Sequence, residues 1–135
     1  MSSVSDYVNL EKDVLATCLR DKDFVGKGFS TLSVHKFIGK THVWIWEQIA
    51  KAFTRNRERI NPRALVRRIE RAFPEERERD AVEQTFIDLW QRKSLSPGEA
   101  LDELRRLATL GSIRRTLAGL EGAQDEEEVD EEARK

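Results

Sequence analysis

Few residues of this chain have the types and spacing that catalysis requires. The only two histidines, His35 and His42, lie seven positions apart in "HKFIGKTH". Imidazoles can act as acid–base groups or as metal ligands, but His42 falls on the apolar face of a predicted helix. We therefore interpret His42 as a structural histidine. The single cysteine, Cys18, excludes an intrachain disulfide and a CxxC zinc motif.

The stretch "GKT" at positions 39–41 has the ending of a phosphate-binding loop. The upstream glycine at the required spacing is missing, and no strand is predicted before it, so we interpret the match as accidental. No GxSxG or HExxH motif occurs. We predict that this segment has no catalytic residue, binds no cofactor and holds no metal.

The arginines offer a different kind of chemistry. Between Lys51 and Arg71 there are eight basic residues and two acidic ones. On a helix, Arg63, Arg67 and Arg71 repeat every four residues and form one stripe, which could contact phosphates. The alternative is an ordinary solvated helix face. The net charge of −1 does not distinguish the two.

The composition indicates a single domain with a modest core. Of the 135 residues, 39% are hydrophobic and 36% are charged, and the charged fraction exceeds the usual quarter. The N-terminus lacks the basic and apolar regions of a signal peptide, and no apolar run is long enough for a membrane span. We expect a cytoplasmic protein without membrane contact.

The periodicity of the apolar residues predicts an all-α fold. We expect a small helical-bundle head over 1–75, a long αα-hairpin over 76–122, and an acidic linker without regular structure over 123–135. Proline at the first turn marks two helix starts, at Asn61–Pro62 and Ser96–Pro97. The two glycines of "DKDFVGKG" predict a loop over 21–28. The predicted helices span 8–20, 31–37, 41–54, 62–73, 76–91 and 97–121.

The apolar run "VWIW" could by itself be a strand, but it continues into "EQIAKAF", which has good helix formers and helix length. On that helix His42, Ile45 and Trp46 share one face, so we expect them in the core. Trp44 lies about 200° from Trp46. It should face either a second packing layer or a partner.

The order of these features resembles the N-terminal domain of the DnaB-type replicative DNA helicases. The stretches that carry the resemblance are "LEKDVLATCLRD", the spaced residues from Phe37 to Trp46, the pair Ile60–Asn61 before a leucine, and "SPGEALDELRRLATLGSIRRTLAGL". Two stretches depart from the family pattern: "AVEQTFIDLW" replaces its G-G-x-x-Y-L, and Ala16–Thr17 replaces a glycine-containing step. The positions that match the family core are Glu11, Leu15, Phe37, His42, Ile45, Trp46, Ile60 and Leu65.

The resemblance implies an assembly function. In that family the hairpins pair two subunits within a hexamer, and the resulting collar docks primase, a helicase loader or both. The motor that uses ATP and Mg lies in a separate domain, so we expect this chain to be the N-terminal part of a longer helicase. The residues that we expect at the dimer interface are Phe86, Leu89, Trp90, Leu104, Leu107, Ile113 and Leu117.

Two alternatives remain at this point. A primase-type helicase-binding domain or a helicase loader would have a similar helical pattern. A stand-alone DNA-binding helical protein would use the arginine-rich stretch instead. The candidate partner or phosphate surface then comprises Trp44, Arg63, Arg67 and Arg71.

Overall fold

A computed structural model describes residues 3–134 of the chain, with side chains for residues 6–120. Within 3–134 the backbone forms helices and no strand, so the predicted all-α class is confirmed. No helix in that range has the length and apolarity needed to cross a membrane. The helices are α1 Ser3–Arg20, α2 Lys22–Val34, α3 Lys40–Asn56, α4 Pro62–Ala72, α5 Glu76–Gln91 and α6 Pro97–Arg134.

Local capping explains the helix starts that the sequence predicts best. The side-chain oxygen of Asn61 accepts a hydrogen bond of 2.9 Å from the backbone N–H of Arg63, and Pro62 opens α4. The hydroxyl of Ser96 accepts one of 3.2 Å from the N–H of Glu99 and donates one of 2.9 Å to its carboxylate. These bonds satisfy N–H groups that a helix leaves free in its first turn.

The predicted loop over 21–28 is wrong, because residues 22–28 belong to helix α2 and Asp21 is its N-cap. Asp21 caps it, accepting hydrogen bonds from the N–H groups of Asp23 and Phe24 at 2.9 and 3.3 Å. A Cβ on Gly28 would lie 3.2 Å from Leu104 of α6. A Cβ on Gly26 would lie 3.3 Å from the Phe53 ring of α3. The glycines therefore permit close helix packing, and they do not end the helix.

The structure also differs from the expected unstructured linker. The backbone of 123–134 continues α6 without a break. Glutamate and alanine are good helix formers, and no proline interrupts the segment. The predicted role of this segment as a linker remains a prediction.

Helix α1 lies at the centre and packs against α2, α3, α5 and α6. Helix α5 packs against α1, α3 and α4, whereas α6 packs against α1 and α2. Helix α5 and the first half of α6 therefore belong to the same core as the head. One cluster of buried side chains extends from Tyr7 to Leu107 and includes Val82, Phe86, Leu89, Ala100 and Leu104.

Candidate functional site

Both histidines converge on one buried carboxylate. His35 follows the last residue of α2, His42 lies in the first turn of α3, and Glu11 of α1 is fully buried between them. The Nε2 of His35 is 2.6 Å from a carboxylate oxygen of Glu11. The Nδ1 of His42 is 3.8 Å from the other oxygen, beyond hydrogen-bond distance. These three residues join the connection between α2 and α3 to the central helix.

The backbone completes this polar centre. The N–H of Ile38 lies 3.3 Å from both oxygens of Glu11. Burial by itself raises the pKa of Glu11, but the interactions with His35, His42 and that N–H outweigh burial and hold the pKa below its ordinary value. The carboxylate therefore stays charged inside the protein.

Aromatic rings and α6 enclose His35. Tyr7 stacks on the imidazole with ring centroids 5.7 Å apart, and Phe37 meets it edge-on at 4.6 Å. On the α6 side, a Cβ on Gly111 would lie 3.2 Å from the Nδ1 of His35. The Glu11–His35 pair resembles an acid–base pair chemically, but this enclosure excludes a substrate from it. We assign it a structural role.

The other groups that could support chemistry are equally enclosed. Cys18 is fully buried, and burial raises the pKa of its thiol far above the ordinary value, so it is not a nucleophile. Among the side chains that the structure describes, those of residues 6–120, no three of the ligand types come together in a way that could hold a metal ion. Sequence reasoning placed Glu11 in the core but missed His35. The available signal was the spacing of Glu11, Leu15 and Cys18, which sets Glu11 on the same helix face as two apolar residues.

The predicted dimer interface divides into two parts. Four of its residues are buried within the chain and are not available to a partner in this conformation: Phe86, Leu89, Leu104 and Leu107. Trp90 is half-buried, with the guanidinium of Arg20 5.7 Å from its ring. Ile113 and Leu117 are 51% and 55% exposed, and the neighbouring Leu120 is 59% exposed. We call these last three residues the α6 apolar stripe.

A basic cavity of about 220 Å³ lies beside the α6 apolar stripe. Its lining includes Tyr7, Lys36, Arg114, Arg115 and Leu117. The guanidinium of Arg114 lies 5.0 Å from the Tyr7 ring and donates a hydrogen bond of 3.2 Å to the carbonyl of Lys36. Arg114 thus attaches the second half of α6 to the connection between α2 and α3.

The remaining core predictions agree with the structure. Six positions expected inside are buried: Leu15, Phe37, Ile45, Trp46, Ile60 and Leu65. Trp44 is not on the buried face of α3 but packs against the edge of this core, and its ring meets the Phe73 ring edge-on at 5.2 Å. It therefore fills a second packing layer between α3 and the end of α4, and it is half-buried.

The arginine stripe of α4 faces solvent. Arg63, Arg67 and Arg71 are exposed, whereas Leu65 and Ile69 on the opposite face are fully buried. None of the three pairs with an acidic side chain among residues 6–120. The stripe is therefore a continuous cationic surface along the helix.

Two carboxyl groups also meet where α1 and α6 pack. Glu103 has a buried oxygen that no donor among the described residues satisfies. Burial first, and then the charge of the neighbouring Asp13, raise the pKa of Glu103 from 4.5 to about 7, against the opposing charges of Arg106 and Arg92. Asp13 in turn pairs with Arg92 at 2.8 Å. Glu103 is therefore partly protonated near neutral pH.

Comparisons with known proteins do not place the chain in a family. No family model matches it, and no curated protein or solved structure is significantly similar to it.

Proposed function

We propose that this chain is a self-association and docking domain of the type found at the N-terminus of DnaB-type replicative helicases. The observation that carries the proposal is the α6 apolar stripe. Helix α5 ends at Gln91, and α6 continues beyond the shared core with Ile113, Leu117 and Leu120 exposed at spacings of four and three. Such a stripe is typical of a helix that pairs with another helix.

The remainder of the fold suits a scaffold. The charged Glu11 and its histidine partners stabilise the core and are closed to substrate. In this proposal the chain contributes assembly and docks primase, a loader or both. ATP hydrolysis belongs to a separate motor domain of the parent protein.

Sedimentation equilibrium at concentrations up to about 100 µM tests self-association, because a weak helical dimer is populated in that range. We expect a dimer for the wild-type chain and a monomer for the double variant Ile113→Glu/Leu117→Glu. Ile87→Glu is the matched control, because Ile87 is also an exposed apolar residue, at 42%, but lies on α5. A wild-type chain that is monomeric at the highest concentration would contradict the proposal.

The coding sequence downstream of Lys135 tests the helicase assignment separately. We expect it to continue into a motor domain with a G-x-x-x-x-G-K-[ST] phosphate loop. A reading frame that lacks this motif would refute the helicase assignment and leave the proposed self-association untouched.

The exposed arginine stripe on α4 favours a second candidate function, which is contact with a nucleic-acid backbone. Titration of duplex DNA at several salt concentrations tests it. Contacts from Arg63, Arg67 and Arg71 predict an affinity that falls with a log–log slope of about −3. The triple charge reversal should remove that slope, and an unchanged slope would exclude the stripe as the binding surface.

A further inference from the structure

Helix α6 separates its charges along its length. From 104 to 120 the sequence has four arginines and no acidic residue, whereas from 121 to 132 it has eight acidic residues and no basic one. The backbone is one continuous helix across both segments. The cationic half carries the α6 apolar stripe, and the acidic half follows directly.

The apolar positions define a narrow seam along this helix. Leu110, Ile113, Leu117 and Leu120 follow spacings of three, four and three, the pattern of the core positions of a coiled coil. Leu110 is half-buried against the core of its own chain, and the other three are exposed. Positions 106 and 124 continue the same seam by four residues in each direction.

From position 125 onward, the backbone of the acidic half of α6 lies well beyond the arginines of the cationic half. With a rise of about 1.5 Å per residue, position 125 lies about 15 Å along the helix axis beyond position 115. Because the helix is unbroken to Arg134, the chain does not fold back over that distance. Within the chain, Arg105 has only an exposed contact of 3.5 Å with Asp102 on its own helix. The acidic segment from 125 onward can therefore add to the neutralisation of Arg105 and Arg106 only from another molecule.

A second copy supplies that segment only in one orientation. Parallel pairing through the seam would set all eight acidic residues of one copy beside the same eight of the other, and like charges at such spacing repel. Antiparallel pairing sets acidic residues near Arg105 and Arg106. We propose that two copies pair through α6 in the antiparallel orientation, with Arg105 and Arg106 of each copy beside Asp125 and Glu126 of the second copy.

This inference rests on the proposed self-association, and it adds the surface, the orientation and the charge pairs. Antiparallel seam pairing sets Leu110 opposite Leu120 of the second copy and Ile113 opposite Leu117 of the second copy. Position 106 then lies opposite position 124. The two copies of position 124 are about 27 Å apart along the axis, because each lies nine residues from the centre at 115.

Disulfide formation between single-cysteine variants tests this geometry. An equimolar mixture of the Arg106→Cys and Gln124→Cys chains should form a mixed disulfide dimer under mild oxidation, whereas Gln124→Cys alone should not. The native Cys18 is fully buried and does not compete. The wild-type chain under the same conditions is the control.

Each outcome has a distinct meaning. Efficient self-crosslinking of Gln124→Cys alone would overturn the antiparallel orientation and leave the dimer intact. A wild-type dimer in sedimentation that yields no mixed product would overturn the α6 seam. A monomeric wild-type chain would overturn both this inference and the proposed function.

Charge reversal provides an independent readout that needs no covalent bond. Arg105→Glu/Arg106→Glu should weaken the homodimer about tenfold, and so should Asp125→Lys/Glu126→Lys, because each sets like charges together. Mixing the two variants should restore wild-type affinity in a heterodimer. Failure of the mixture to associate, while each variant is folded by circular dichroism, would refute the proposed charge pairs.

Discussion

Replacing Glu103 with glutamine should stabilise the protein at alkaline pH and have little effect under acid conditions. The raised pKa of Glu103, about 7 against an ordinary 4.5, means that the folded state prefers the neutral carboxyl. A raised carboxyl pKa contributes stability that is fully present below the unfolded pKa and is lost as the pH rises through the folded pKa. Glutamine mimics the neutral form and does not undergo that loss.

The magnitude follows from the pKa difference. A difference of about 2.5 units corresponds to roughly 3.4 kcal/mol as an upper limit. Glu103 is partly exposed, and solvent screens its interactions with Asp13, Arg92 and Arg106. We therefore expect Glu103→Gln to raise the free energy of unfolding by about 1–2 kcal/mol at about pH 8 and by less than about 0.5 kcal/mol at about pH 4.5.

Urea unfolding monitored by circular dichroism at these two pH values measures the difference directly. Asp102→Asn is the matched control, because Asp102 is the neighbouring acid on the same helix and its side chain is 75% exposed. The control should change stability by a similar small amount at both pH values. A Glu103→Gln chain that is less stable than wild type at the higher pH would refute the proposed cost of ionising Glu103.

The other predictions concern the core and can be measured by the same unfolding assay. Glu11→Leu should lower the free energy of unfolding by about 3 kcal/mol at neutral pH, because it leaves the buried partners of Glu11 unpaired. Because the pKa of Glu11 is lowered, its contribution is present above the ordinary pKa of 4.5 and is lost as the pH falls through the folded value, so the variant should approach wild type in acid. Gly119→Ala should raise the free energy of unfolding by about 0.5–1 kcal/mol, because a Cβ there meets open space. Gly28→Ala should raise it less or lower it, because the added Cβ would lie 3.2 Å from Leu104. Trp44→Ala should lower the free energy of unfolding by about 2 kcal/mol, because it removes the contact with the Phe73 ring. An unchanged free energy of unfolding would contradict the second packing layer.

Local sequence patterns predicted the features that depend only on neighbouring residues, such as helix starts and the buried face of a helix. Asn61 before Pro62 and Ser96 before Pro97 predicted two helix starts at the residues where the structure has them, because a cap is made within one turn. Apolar spacing predicted the buried face of α3, with Ile45 and Trp46 inside. The class of the fold followed from such local patterns.

The glycines of α2 and the pair formed by α5 and α6 show where local patterns fail. Gly26 and Gly28 lower the helix propensity of α2. The structure explains them by close packing against α3 and α6, which are distant in the sequence. The short turn between α5 and α6 predicted a hairpin, but it did not predict that both helices pack against α1. Which face of a helix meets which neighbour depends on the whole set of competing apolar surfaces.

The sequence by itself determined an all-helical chain, the starts of α4, α5 and α6, most of its core and the charge separation along α6, because each is encoded within a few turns. Only the tertiary structure decided that Glu11 pairs with His35, 24 positions away, and that Ile113 and Leu117 remain exposed while Leu104 and Leu107 are buried. These features depend on how α1 is surrounded, and the periodicity of a single helix does not specify which of its apolar residues find a partner within the chain.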